Sequence, residues 1–100
     1  MATYVVLLKL TEAGRKTMGD PSGLDAAKRC VEAMGVQWKA WYLTMGRYDA
    51  VVIVEAPDDE TVTKIGLVQA RAGGVISETL RAFTEDEYRR MAAALPPAPA

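Results

Sequence analysis

The sequence predicts an α+β domain built on one four-stranded sheet, and three observations point there. Two runs, Tyr4 to Leu8 and Val51 to Val54, are apolar at every position, which marks strands covered on both faces. Leu24, Ala27, Val31 and Met34, and later Val62, Ile65 and Val68, recur at helical spacing. An aromatic stretch from Trp38 to Tyr42 meets the corner Gly46-Arg47-Tyr48-Asp49 and leaves it as the β-branched run Ala50 to Glu55, the pattern of a hairpin.

Taken in order, the first strand runs from Thr3 to Leu10, with Tyr4, Val6 and Leu8 on one face and Val5 and Leu7 on the other. Thr11 to Gly23 is a connection with three glycines and room for one helical turn. The first amphipathic helix follows, with Asp25, Lys28, Arg29 and Glu32 outward, and Gly35 stops it as a C-terminal cap. The second strand is expected from Val36 to Met45 and the third from Ala50 to Ala56. Pro57 ends the third strand, and Asp58-Asp59-Glu60 place acidic side chains at the positive end of the second helix. Gly73-Gly74 breaks that helix. A more polar fourth strand, Val75 to Phe83, carries Ser77, Glu78, Thr79 and Arg81. Thr84-Glu85-Asp86-Glu87 is a capping box for a short terminal helix expected to bury Tyr88, Met91 and Leu95. Residues 1–95 form one domain in this reading, and Pro96 to Ala100 a Pro/Ala-rich flexible tail.

Strand, helix, strand, strand, helix, strand is the ferredoxin-like βαββαβ order, here with an added C-terminal helix. Its antiparallel sheet puts the first and third strands in the centre, and these are the two apolar runs. The helices lie on one sheet face, so the other face needs a cover. The simplest is a second copy, giving a homodimer or a higher even-numbered oligomer of the dimeric α+β-barrel type.

Composition excludes several function classes. The chain of 100 residues carries a formal net charge of −1 with both signs scattered, so no basic face invites nucleic acid or an anionic membrane. There is no histidine, which removes the commonest general base and transition-metal ligand. Cys30 is the only cysteine, so neither an intrachain disulfide nor a cysteine-rich zinc site can form. No metal and no cofactor is expected. No signal-peptide pattern and no membrane-spanning run is present, which makes a cytoplasmic location the expectation.

The corner Gly46-Arg47-Tyr48-Asp49, preceded by Trp41-Tyr42-Leu43-Thr44-Met45 and followed by Ala50 to Asp59, resembles the GYD domain family. The likeness extends from Tyr4-Val5-Val6-Leu7-Leu8 to Thr79-Leu80-Arg81-Ala82-Phe83-Thr84-Glu85-Asp86-Glu87. The resemblance implies a ferredoxin-like, dimeric α+β-barrel fold. It implies no reaction, and so no catalytic residues.

The candidate ligand-binding residues are Trp38, Trp41, Tyr42, Tyr48, Asp49 and Glu55. Tyr48 and Asp49 offer a phenol and a carboxylate for acid–base work. Turn chemistry competes with that reading: Gly46 supplies an unusual backbone angle and Asp49 accepts from nearby backbone N–H groups. A four-residue closure would pair Tyr42 with Ile53 and Trp41 with Val54. Trp38, Tyr42, Thr44 and Ile53 then share one face, with Trp41, Leu43 and Val52 on the other. The aromatics could line a pocket for a planar organic molecule, or simply pack as core and interface anchors. Lys9 and Glu55 lie near the ends of the central strands, expected to run parallel and so to bring the two charges together. Thr79 and Arg81 are polar where burial is expected, and Arg81 could also guard a sheet edge. Cys30 reads as a small buried or half-buried hydrophobe.

Three functions fit these residues: a small-molecule-binding module, a cofactor-independent oxygenase or isomerase using Tyr/Asp acid–base chemistry, and a structural or regulatory assembly protein.

Overall fold

A computed structural model describes residues 1–99. Its elements are β1 (Ala2–Leu10), α1 (Glu12–Arg15), α2 (Ser22–Ala33), β2 (Gln37–Leu43), β3 (Ala50–Ala56), α3 (Asp59–Ala72), β4 (Val75–Ala82) and α4 (Glu85–Ala93). The sheet order is β2-β3-β1-β4, the ferredoxin-like arrangement with the two apolar strands in the centre. Pro96 to Pro99 adopt no regular structure, and Ala100, the last residue of the expected tail, lies outside the described residues.

The helix boundaries follow local chemistry. Gly35 at φ +82° ends α2, its N–H donating to Glu32 O at 3.0 Å while the Val36 N–H reaches Val31 O at 3.3 Å. Asp58 caps α3 by accepting the Thr61 N–H at 2.8 Å. Gly73, also left-handed, closes the other end of α3. Thr84 and Glu87 make the reciprocal capping box at α4.

One sheet face carries the core. Tyr4, Val52, Val54 and Ala56 are buried there against Val31 of α2, Val36 and Val62 of α3. The alternate set, Val5 and Leu7 of β1 with Val51 and Ile53 of β3, points away from the helices and stays only half-buried. Tyr42, Ile76 and Leu80 continue that open face and are 57%, 64% and 44% exposed, so its apolar character reaches the edge strands.

Four expectations need correction. Both β1 partners run antiparallel, with Thr3 opposite Glu55 and Lys9 opposite Ile76, so Lys9 and Glu55 sit at opposite ends of the sheet. The α2 crossover returns β2 in the direction of β1, and the hairpin then reverses β3. The β2–β3 hairpin is closed by the six residues 44–49, pairing Leu43 with Ala50, Tyr42 with Val51 and Trp41 with Val52. A β-bulge between Trp38 and Ala40 then turns Trp38 to the helix side, opposite Val54, so both tryptophans share a face. The terminal helix buries nothing: Tyr88, Met91 and Leu95 are all exposed. The molecule is accordingly elongated, with a radius of gyration of 16.1 Å, against roughly 13 Å for a compact chain of this length. Cys30 is exposed rather than buried, because the α2 stripe leaves it on the solvent side.

Candidate functional site

The residues singled out in the sequence do not converge on one pocket. Trp38 and Trp41 pack half-buried against the core on the helix side of β2. Tyr42 stands on the opposite, open face and is exposed. Glu55, also on the open face, is ion-paired with Lys39 across the bulge at 3.5 Å. Lys9 is exposed at the far end.

The hairpin corner is a clasp. Gly46 takes φ +104°, a left-handed angle open to glycine at little cost, which turns the loop over. Thr44 donates its hydroxyl to Tyr48 O at 2.7 Å and its N–H to Asp49 O at 3.0 Å. The Asp49 N–H donates to Leu8 O at 2.8 Å, and an Asp49 carboxylate oxygen accepts the Leu10 N–H at 2.8 Å. The Tyr48 hydroxyl donates to the Glu78 carboxylate on β4. That bond holds the Tyr48 phenol in its neutral form and raises its pKa above the ordinary value. The turn reading is therefore half right: Asp49 does bond backbone N–H groups, but the one its side chain reaches lies on a distant strand. Arg47 is exposed at the tip.

A recess of about 350 Å³ opens between the β1–β4 side of the sheet and α3. Tyr4 forms its floor, Val62 and Leu67 an apolar wall, and Asp59, Ser77, Thr79 and Arg81 its polar lining. The recess follows from sequence parity. Register places Ser77, Thr79 and Arg81 opposite Leu8, Val6 and Tyr4, on the inner face of β4, where an apolar row would seal the core. Across from them Gly66 of α3 has no atom within 4 Å of where a Cβ would stand, so nothing fills the space.

The electrostatics of the recess are set by three groups. The Tyr4 hydroxyl donates to Asp59 Oδ1, and this bond, followed by burial, raises the phenol's pKa above its ordinary value. The Arg81 guanidinium lies over the rings of Phe83 at 4.3 Å and Tyr4 at 5.5 Å. Its Nη1 donates to the backbone carbonyls of Thr3, at 3.3 Å, and Ala82. Among the described residues it is paired with no carboxylate. Sequence reading flagged Thr79 and Arg81 as out of place in the strand, but missed Tyr4, Asp59 and Ser77, whose convergence needs the β1–β4 register.

A second, shallower groove runs between Met34 at the end of α2 and Lys64, Leu67, Val68 and Arg71 of α3. Among the described residues no helix is long and apolar enough to cross a membrane.

The family model of the GYD domain matches residues 4–92, which include the clasp residues Thr44 to Asp49 and the lining of the recess from Tyr4 to Arg81. The chain belongs to the GYD domain family. This GYD chain is 37% identical over 85 residues to a Thermus thermophilus protein named glutamine synthetase and cystathionine beta-lyase binding protein, covering 83% of this chain and 90% of that one. Among solved structures it is similar to FFRP-DM1, with a TM-score of 0.58, 19% identity, and coverage of 83% of this chain and all of that one. It is also similar to the hypothetical protein PHS023 of Pyrococcus horikoshii, with a TM-score of 0.53, 22% identity, and coverage of 85% and 93%. These structural likenesses show the fold.

Proposed function

We propose that this GYD protein is an oligomeric binding module that engages other proteins, with two copies joined through their open sheet faces. The observation that carries the reading is that open face. Val5, Leu7, Val51 and Ile53 form an apolar centre continued by Tyr42, Ile76 and Leu80, a surface that a solitary protein rarely leaves in water. A second copy suits it because each copy presents the same apolar centre. A two-fold axis across the strands lays one apolar centre on the other, the self-complementarity an isologous interface requires. The name of the Thermus thermophilus relative supports protein partners for the resulting dimer, with glutamine synthetase the first to try.

Native mass spectrometry of the purified protein, alone and mixed with purified glutamine synthetase, tests both halves. An even-numbered assembly that Ile53→Lys dissociates, and that forms a defined complex with the enzyme, is expected. A monomer at micromolar concentration would remove the dimer; an intact dimer with no complex would remove that partner.

A second reading, a small-molecule-binding module, is favoured by the recess between the sheet and α3. Acid–base catalysis at the hairpin corner has weaker support, since Tyr48 and Asp49 are both engaged in tying the corner to β4 and β1.

A further inference from the structure

We infer that the recess beneath α3 binds a small organic acid, whose carboxylate meets Arg81 and the Thr79 hydroxyl and whose hydroxyl or ammonium group donates to Asp59. The inference rests on the small-molecule reading above and gives it a ligand class.

Four observations converge. First, the inner row of β4 is polar at three successive inward positions, Ser77, Thr79 and Arg81, where it faces the apolar row Leu8, Val6 and Tyr4. A sheet face turned toward a helix is normally apolar, because an unbonded buried hydroxyl loses its hydration. Neither the half-buried Ser77 hydroxyl nor the exposed Thr79 hydroxyl finds a partner among the described residues. Both are available to an incoming oxygen.

Second, Arg81 is held without being neutralised. Its Nη1 is used on two backbone carbonyls and its plane rests against Phe83 and Tyr4, while Nε and Nη2 have no partner among the described residues. A guanidinium fixed in this way has already lost much of its rotamer freedom and presents paired donors that match a carboxylate.

Third, Asp59 carries the opposite charge in the same recess. Its Oδ1 accepts from Tyr4, leaving Oδ2 without a partner among the described residues. A bare anion such as chloride or phosphate would meet this carboxylate unfavourably. A hydroxy acid or a zwitterion would satisfy both ends.

Fourth, the space is set by a residue that nothing else explains. Gly66 lies within α3, where glycine costs about 1 kcal/mol relative to alanine, and its φ is not left-handed. No neighbouring atom would obstruct a side chain there. The missing side chain leaves the recess at about 350 Å³, near the lower end of the range of roughly 300–1,000 Å³ for ligand sites. A molecule with a short branched apolar tail fits against Val62 and Leu67.

The test is an amide NMR titration of the full chain with 2-hydroxyisovalerate and, separately, with its neutral analogue 2-hydroxyisovaleramide. The acid is expected to shift the Gly66, Ser77, Thr79 and Arg81 amides saturably. Arg81→Gln should weaken binding by about tenfold or more, and Gly66→Leu should abolish it while preserving the dispersed spectrum. Gly66→Ala, which the helix tolerates, serves should the leucine variant fail to fold, and is expected to weaken binding in the same direction. Equal binding of acid and amide would overturn the organic-acid assignment while leaving a small-molecule recess standing. Shifts of neither probe at millimolar concentration, or acid binding indifferent to both substitutions, would overturn the recess as a site altogether.

Discussion

An Asp49 carboxylate oxygen accepts the Leu10 backbone N–H at 2.8 Å, joining two residues 39 apart in the chain. The bond fastens the β2–β3 hairpin loop to the end of the first strand, where the Asp49 N–H also pairs with Leu8 O. Asp49→Ala is therefore expected to destabilise the fold by about 1.5 kcal/mol, the scale of a hydrogen bond to a charged group. Asp49→Asn, which keeps an acceptor, should lose about half as much. Urea unfolding checks this, and a wild-type midpoint in the alanine variant would reduce the corner to an ordinary turn.

Gly14 and Gly23 should respond in opposite directions to alanine. A Cβ at Gly14 would collide with Gly74 O, the carbonyl that accepts the Thr11 N–H at 3.1 Å. Backbone must move to admit it, so Gly14→Ala should cost about 2 kcal/mol or more. Gly23 sits in the first turn of α2 with open space around it, and alanine there should gain up to about 1 kcal/mol. Thermal melts of the two variants side by side decide it.

Deleting Lys39 removes the extra residue of the bulge. The strand would then regain strict alternation with Trp38, now next to Ala40, still opposite Val54 on the helix side. The expected result is an unchanged tryptophan emission maximum and a loss of no more than about 1 kcal/mol, the scale of the exposed Lys39–Glu55 ion pair that goes with the residue. A red-shifted emission would mean that Trp38 leaves Val54 and that the register does not hold it on the helix side.

Stability should fall at both ends of the pH scale for different reasons. Asp58 and Glu87 have pKa values lowered chiefly by the hydrogen bonds they accept at the starts of α3 and α4. Their contribution is present above the unfolded pKa of about 4 and is lost as pH falls through the lower folded values. At the alkaline end, the raised pKa of Tyr4 makes its contribution complete below about pH 10. That contribution disappears as pH rises through the folded value. Tyr4→Phe should cost about 1 kcal/mol at neutral pH and flatten the alkaline limb, read as melting temperature against pH.

The sequence by itself determined the elements and most of their ends, because these depend on neighbours a few residues away. Continuous apolar runs gave the central strands, Gly35 and Gly73 closed helices, and Thr84 with Glu87 opened one. The GYD corner was legible for the same reason. Tertiary structure decided what depends on register and direction. Loop length at the hairpin shifted the pairing by two positions, one bulged residue moved Trp38 across the sheet, and strand direction separated Lys9 from Glu55. Tyr4, Asp59 and Arg81 are brought together from β1, α3 and β4 by pairing across more than fifty residues of chain. A strand's side chains alternate every residue, so a shift of one position reverses which of them share a face. Local patterns fix that there is a strand; only its partners fix what it presents, and to what.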